Sequence, residues 1–153
     1  MAGYSGTPLA KKLGIKADHR VALVNAPRGF ERTLAGLPPG VVLETDGSGL
    51  DLFDVVVLFI ANRSVLVAEF GDWAKRLHLA GGLWVAWPKK TSGITSDLSE
   101  NAVREFGLAA GLGDNKVCAV DDTWSGLRFV YRLQDRPKPS KAHKPASARS
   151  EQS

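Results

Sequence analysis

The feature of this sequence that most constrains its fold is the stretch from Asp54 to Lys90, in which two apolar runs flank an amphipathic segment. The first run, Asp54–Ile60, consists almost entirely of β-branched, aromatic and leucine residues without polar alternation. A strand that is apolar on both faces is buried on both, which is typical of a parallel sheet. The second run, Leu83–Trp87, has the same character and ends at Pro88, which has no N–H to donate to a neighbouring strand.

The segment between the two runs predicts a helix. Apolar residues recur along one helical face at Leu66, Phe70, Trp73 and Leu77. Asn62 or Ser64 is placed to cap the start of this helix, and we expect Gly81 to end it because glycine tolerates the backbone conformation found just past a helix. Strand, helix and strand in this order form one βαβ unit of a parallel sheet.

Further strands are predicted on both sides of this unit. Two precede it, at Arg20–Asn25 and Val41–Glu44, and two follow it, at Lys116–Val120 and Gly126–Leu133, after a second helix capped by Asp97. Alternating strands and helices predict an α/β fold, a three-layer Rossmann-like sandwich with a mostly parallel sheet. Right-handed crossovers favour the strand order 2-1-3-4-6-5, with a C-terminal antiparallel hairpin at one edge.

Composition separates one folded domain from a C-terminal tail. The chain has 153 residues, of which 44% are hydrophobic, and we assign residues 1–135 to a single domain. These residues carry 15 Lys and Arg and 15 Asp and Glu, so the whole net charge of +4 belongs to residues 136–153. The Pro-, Ser-, Ala- and Lys-rich composition of this tail predicts disorder. We expect a solvated extension there rather than a site for nucleic acid or an acidic partner, and the oligomeric state stays open.

The sequence contains no pattern that identifies a catalytic, metal or cofactor site. The longest apolar run has the length of a strand, and we expect no signal peptide and no transmembrane helix. The lone cysteine cannot form an internal disulfide, so we expect a cytoplasmic location by default. Cys118 lies in an apolar run without a nearby histidine, which predicts a buried hydrophobe rather than a nucleophile. His19, His78 and His143 do not have the spacing of metal ligands.

The strand order predicts where a ligand would bind. In open α/β sheets ligands bind outside the carboxyl ends of the strands, where the strand order reverses. Here this crevice is expected between the strands that start at Arg20 and Asp54. Its expected lining is Asn25, Ala26, Pro27, Asp46, Asn62 and the loop from Lys89.

The loop after the second apolar run is the candidate site for an anionic small molecule. It contains Lys89 and Lys90, followed by Ser92 and Gly93. Ammonium groups, a hydroxyl and backbone N–H groups ahead of a helix suit a phosphate or a carboxylate. We expect Trp124 to fold back beside this loop. The alternative is an ordinary connecting loop with solvated lysines.

Asp121 and Asp122 stand side by side in the turn between the last two strands. Paired carboxylates can bind a metal or share a proton. Adjacent residues on a turn usually point apart, however, and Asp is a common turn former. We therefore interpret this pair as part of a structural turn.

The middle strands resemble those of S-adenosylmethionine-dependent methyltransferase domains. Phe53–Val57, the long helix and Gly81–Val85 carry this resemblance, which implies an enzyme of methyltransferase ancestry. Glu44 or Asp46 lies at the distance from the first turn where nucleotide-binding folds place a ribose-binding carboxylate, although a solvated loop acid is the alternative for Asp46. The first turn has one glycine, Gly29, where the family has a glycine-rich loop, so we expect no tight binding of S-adenosylmethionine.

A closer resemblance covers nearly the whole folded part. Four segments carry it in the same order, namely Leu9–Ile15, Asp54–Leu58, Gly82–Lys89 and Trp124–Arg128. They resemble a family of small bacterial proteins, a domain-of-unknown-function family (number three-zero-five-two). The resemblance implies the fold and a bacterial cytoplasmic setting and carries no known activity. We therefore expect a binding or accessory module, with the methyltransferase-derived enzyme as the alternative.

Overall fold

A computed structural model describes residues 8–34, 36–45 and 51–132. In chain order its elements are α1 (Leu9–Lys12), β1 (Arg20–Val24), a 3₁₀ turn (Phe30–Leu34), β2 (Val42–Glu44), β3 (Phe53–Phe59), α2 (Arg63–Lys75), β4 (Leu77–Pro88), a second 3₁₀ turn (Lys90–Ser92), α3 (Glu100–Ala109), β5 (Leu112–Ala119) and β6 (Trp124–Tyr131). None of the helices in these ranges has the length and apolar character needed to cross a membrane. Asp46 and the tail at residues 136–153 lie outside the described residues.

The six strands form one sheet in the order β2-β1-β3-β4-β6-β5, which confirms the order predicted from the sequence. The pairs from β2 through β1 and β3 to β4 are parallel. β6 is antiparallel to β4, and β5 is antiparallel to β6. The C-terminal hairpin therefore forms one edge of the sheet, as expected.

Each face of the sheet has its own apolar core. On one face, Leu66 and Phe70 of α2 pack with strand residues such as Val56, and α3 covers the same core. On the other face, Leu13 at the end of α1 packs with Trp84 of β4 and with the first 3₁₀ turn. The sheet is thus a middle layer between two helical layers, which confirms the three-layer sandwich.

The prediction for Gly81 was wrong, because this residue lies inside β4 and does not end the helix. α2 ends at Lys75, and β4 begins at Leu77. A Cβ atom on Gly81 would lie 2.7 Å from the carbonyl oxygen of Asp54 on β3. Glycine is therefore required at this position for the close approach of two strands.

Candidate functional site

A groove of about 720 Å³ opens at the carboxyl ends of β1 and β2. It is lined by Leu23 of β1, by Leu43 of β2, by Thr45 just after β2, and by Asn25, Ala26, Pro27, Arg28, Gly29 and Glu31 of the segment that follows β1. The volume lies within the range of roughly 300–1,000 Å³ that is usual for small-molecule sites. We call this site the carboxyl-edge groove.

Two residues with positive φ shape the turn after β1. Asn25 has φ 60° and Gly29 has φ 78°, a backbone region that asparagine tolerates better than most residues and glycine adopts freely. The side-chain amide of Asn25 donates a hydrogen bond to Oε1 of Glu69 on α2 at 3.4 Å. The N–H of Phe30 donates to the carbonyl oxygen of Pro27 at 3.0 Å and closes the turn. The turn formed in this way brings Arg28 and Glu31 to the groove.

The carboxyl-edge groove combines apolar walls with polar groups of both signs. Leu23 and Leu43 provide apolar surface, and Thr45 provides a hydroxyl. Arg28 and Glu31 are both exposed at the groove. A carboxylate accepts hydrogen bonds from ligand hydroxyls, and a guanidinium pairs with a carboxylate. The arrangement suits a ligand that has an apolar ring, hydroxyl donors and a negatively charged end.

Aromatic rings fill the space over the end of β3 on the α1 face. Phe59, the last residue of β3, packs edge-on against Phe30, with 4.8 Å between ring centroids, and against Trp124, with 5.2 Å between centroids. Phe30 and Phe59 are each only 3% exposed. The groove lies over β1 and β2, on one side of the crevice that the strand order predicts between β1 and β3.

Asn62 caps α2 at this same edge of the sheet. Its Oδ1 accepts a hydrogen bond from the N–H of Val65 at 3.1 Å, and Oδ1 of Asp97 accepts one from the N–H of Arg63 at 2.8 Å. Two donors of the first turn are therefore occupied by the protein itself. The prediction that Asp97 caps α3 was wrong, because Ser99 provides that cap.

Some polar groups of the Lys89 loop already form hydrogen bonds within the loop or with neighbouring residues. The N–H of Lys89 donates to the carbonyl oxygen of Thr123 at 2.8 Å, and Oγ of Ser92 accepts from the N–H of Ile94 at 3.1 Å. Gly93 follows the second 3₁₀ turn with φ 85°. The loop does not line the carboxyl-edge groove, and its role as an anion site stays a prediction.

Glu44 and Asp46 are the two acids that the sequence proposes for binding a ribose. The carboxylate of Glu44 is already paired with a residue of the neighbouring strand. The carboxylate of Glu44 forms an ion pair with the guanidinium of Arg20 on β1. Asp46 lies outside the described residues. Glu31, which sequence reasoning missed, contributes a carboxylate to the groove. The only sequence signal near Glu31 is Gly29, because a glycine in the turn after a strand can adopt the positive φ that it has here, but this does not specify which side chain reaches the groove.

Asp121 has a structural role in the last turn. Oδ1 of Asp121 accepts hydrogen bonds from the N–H groups of Thr123 at 2.8 Å and Trp124 at 2.9 Å, as expected for a turn. Within residues 8–34, 36–45 and 51–132, no group of three or more His, Cys, Asp or Glu side chains is arranged to hold a metal ion. Burial raises the pKa of the half-buried Cys118 thiol, which favours its neutral form.

Similar solved structures include S-adenosylmethionine-dependent methyltransferases. One from Aquifex aeolicus is 15% identical over 79% of this chain and 86% of its own, with a TM-score of 0.54. DhpI in complex with SAH is 13% identical over 86% and 83% of the two chains, with a TM-score of 0.56. Aeropyrum pernix fibrillarin with natively bound S-adenosyl-L-methionine is 11% identical over 84% and 70%, with a TM-score of 0.53.

At these identities the likeness shows the fold alone, which is Rossmann-like. No protein-family model matches the sequence, and no curated protein matches it. The resemblance to the family of small bacterial proteins is therefore not supported. The resemblance to methyltransferase domains is supported at the level of the fold.

Proposed function

We propose that this protein binds an S-adenosyl ligand, S-adenosylmethionine or S-adenosylhomocysteine, in the carboxyl-edge groove. The observation that carries the proposal is the position of the groove, because open α/β sheets bind ligands outside the carboxyl ends of their strands. Two proteins of similar fold are described with such a ligand bound. This combination favours methyltransferase ancestry over a module for an unspecified anion.

The groove residues match the parts of this ligand. Glu31 is placed to accept hydrogen bonds from the ribose hydroxyls, because an ionised carboxylate offers only acceptor oxygens. Leu23 and Leu43 offer apolar surface to the adenine ring. Arg28 pairs with the carboxylate of the amino-acid part. Thr45 lies at the end of β2 and borders the groove.

The turn after β1 limits the affinity. A Cβ atom built on Gly29 would lie 3.1 Å from Nη1 of Arg32, so the open side of this glycine is covered by a side chain. Ala26 and Pro27 add side chains to the same turn. Side chains therefore cover the backbone of this turn, and a ligand cannot approach it as closely as a glycine-rich loop permits. We expect a dissociation constant of roughly 10 μM to 1 mM, or a binding free energy of roughly −7 to −4 kcal/mol.

Bound S-adenosylmethionine supplies an electrophilic methyl group, so methyl transfer is the reaction class implied by the proposal. The contribution assigned to this chain is binding and orientation of the ligand by Glu31, Arg28 and the apolar walls. A cytoplasmic setting belongs to the same proposal.

Calorimetric titration with S-adenosylhomocysteine tests the site when the wild type is compared with a variant whose groove is filled by a bulky side chain. Thr45→Trp places an indole at the mouth of the groove and should abolish binding. Thr95→Trp is the matched control, because Thr95 is also exposed but does not line the groove. Failure of the wild type to bind at millimolar ligand, or unchanged binding by Thr45→Trp, would overturn the proposal.

A second pair of variants tests the assigned acid. Glu31→Gln should weaken binding by roughly 10- to 100-fold, the usual loss for a hydrogen bond to a charged group. Glu105→Gln removes the same charge from an exposed position on α3, outside the groove lining, and should bind like the wild type. Equal affinities of the two variants would remove Glu31 from the site.

A further inference from the structure

A second cavity, of about 500 Å³, lies at the opposite edge of the sheet, near the amino ends of β1 and β3. Its lining includes Lys12, Lys16, Lys116, Arg128 and His19, with Asp54 as the lining carboxylate. None of these residues lines the carboxyl-edge groove. We call this site the basic cavity.

The charge of the basic cavity contrasts with that of the domain as a whole. Residues 1–135 carry equal numbers of basic and acidic side chains, yet four permanent cations and one carboxylate line this cavity. Lys12 and Lys16 come from the end of α1 and the loop after it, whereas Lys116 and Arg128 come from β5 and β6, so these two pairs are far apart in sequence. Like charges around one concave site repel each other and attract anions.

Two of the lysines are positioned by the fold. Nζ of Lys116 donates to the carbonyl oxygen of Lys12 at 3.1 Å, and Nζ of Lys12 donates to the carbonyl oxygen of Ala119 at 3.4 Å. These bonds join α1 to β5 and fix the ammonium of Lys116 beside Lys12 in the cavity wall, whereas the ammonium of Lys12 is directed to Ala119, which does not line the cavity. An ammonium has three N–H donors, so one such bond uses a third of that capacity.

Arg128 lies across β4 at a glycine. A Cβ atom on Gly82 would be 2.2 Å from Nε of Arg128, so glycine is required for this side chain to lie where it does. Nη1 of Arg128 donates to Oδ1 of Asn115 at 3.4 Å, which helps to orient the guanidinium. The planar fork of a guanidinium matches the oxygens of a phosphate in a bidentate geometry.

The loop between α1 and β1 contributes a hydrogen-bond donor and an uncovered stretch of main chain to the basic cavity. Nδ1 of His19 accepts a hydrogen bond from the N–H of Lys16 at 3.1 Å, so the neutral imidazole carries its proton on Nε2 and can donate from there. Gly14 has φ 82°, and a Cβ atom built on it would meet nothing within 4 Å. This wall therefore allows a ligand to approach the main chain closely.

We infer that the basic cavity binds a small phosphorylated ligand that carries at least two negative charges. A concave site of this volume suits a small molecule, whereas a nucleic-acid strand is bound along an extended basic groove. Several cations around one cavity favour a ligand with more than one charge. The inference is independent of the S-adenosyl ligand proposed for the opposite edge.

Titration calorimetry with inorganic pyrophosphate at constant ionic strength tests this site. The double variant Lys16→Ala/Lys116→Ala should bind at least about tenfold more weakly than the wild type, because it loses two charged donors. Lys89→Ala/Lys90→Ala makes the same change of charge in the loop at the other edge and should bind like the wild type. Excess S-adenosylhomocysteine should not displace pyrophosphate.

Four results would count against the inference. Equal weakening in both double variants would indicate diffuse electrostatic attraction, and a loss confined to Lys89→Ala/Lys90→Ala would place the anion in the Lys89 loop. Tighter binding of a single-stranded oligonucleotide than of pyrophosphate, lost in Lys16→Ala/Lys116→Ala, would identify a nucleic-acid site instead. If the double variant does not fold, Lys16→Ala alone serves, and unchanged affinity in that variant counts against the cavity.

Discussion

The indole Nε1 of Trp84 donates a 3.0 Å hydrogen bond to the main-chain carbonyl oxygen of Leu13, and both side chains are fully buried. The bond joins the middle of β4 to the C-terminal end of α1. Lys12 and Gly14, which flank Leu13, line the basic cavity. A core contact therefore holds one wall of a surface site in place.

Replacing Trp84 should test this contact. Trp84→Phe should lower the free energy of unfolding by about 2–4 kcal/mol, because it removes the donor to Leu13 and leaves a cavity. Trp73→Phe is the matched control at a partly exposed position and should cost less than about 1.5 kcal/mol. Urea denaturation measures both, and equal costs would contradict the structural role of Trp84.

Two helical glycines should respond in opposite directions to alanine. A Cβ atom on Gly71 in α2 would meet nothing within 4 Å, so Gly71→Ala should stabilise the fold by about 0.5–1 kcal/mol through helix propensity. A Cβ atom on Gly107 in α3 would lie 2.1 Å from Cε1 of Phe129. Gly107→Ala should therefore destabilise by about 1–3 kcal/mol. Stabilisation by Gly107→Ala in urea unfolding would mean that α3 lies farther from β6.

Tyr131 should make stability sensitive to alkaline pH. Its hydroxyl donates to the carbonyl oxygen of Ala74 at 2.6 Å, and burial raises the pKa of Tyr131. The unfolded chain then loses this proton first, so the contribution of Tyr131 is complete below its unfolded pKa, about 10, and is lost as pH rises through the folded pKa. Tyr131→Phe should lower the free energy of unfolding by about 1 kcal/mol at neutral pH. The stability of this variant should also fall less steeply than that of the wild type as the pH rises into the alkaline range. An unchanged decline in pH-dependent unfolding would contradict this.

Residues 136–153 should be dispensable for folding. Their composition is rich in Pro, Lys, Ser and Ala, which do not supply an apolar core. A chain that ends at Asp135 should therefore melt within a few degrees of the full chain in differential scanning calorimetry. A large drop in melting temperature would show that the tail docks on the domain.

The strand order was predictable because the sequence patterns that indicate the individual strands are local. The run from Asp54 to Ile60 is too continuously apolar for a half-exposed strand, and handedness then limits the connections. Gly81 was misassigned because a glycine that ends a helix and one that allows two strands to approach look alike in sequence. The carbonyl oxygen of Asp54, a tertiary neighbour, distinguishes the two cases.

The candidate sites were predictable only in part. The rule for carboxyl ends of strands located Asn25 in the groove lining, but Glu31 reaches the groove through a turn whose path depends on two residues with positive φ. The basic cavity was not predictable, because Lys16, Lys116 and Arg128 are separated in sequence. They meet only when the terminal hairpin packs beside α1.

Amide chemical-shift mapping during titration with S-adenosylhomocysteine tests the central claim most directly. Isotope-labelled protein should show its largest saturable shifts within residues 25–31 and 43–45, the two segments that contain most of the lining of the carboxyl-edge groove. Residues 12–19 beside the basic cavity and the loop at 89–93 should change little. Largest shifts in either of those two regions, or no saturable shift at millimolar ligand, would contradict the assignment of the groove as the S-adenosyl site.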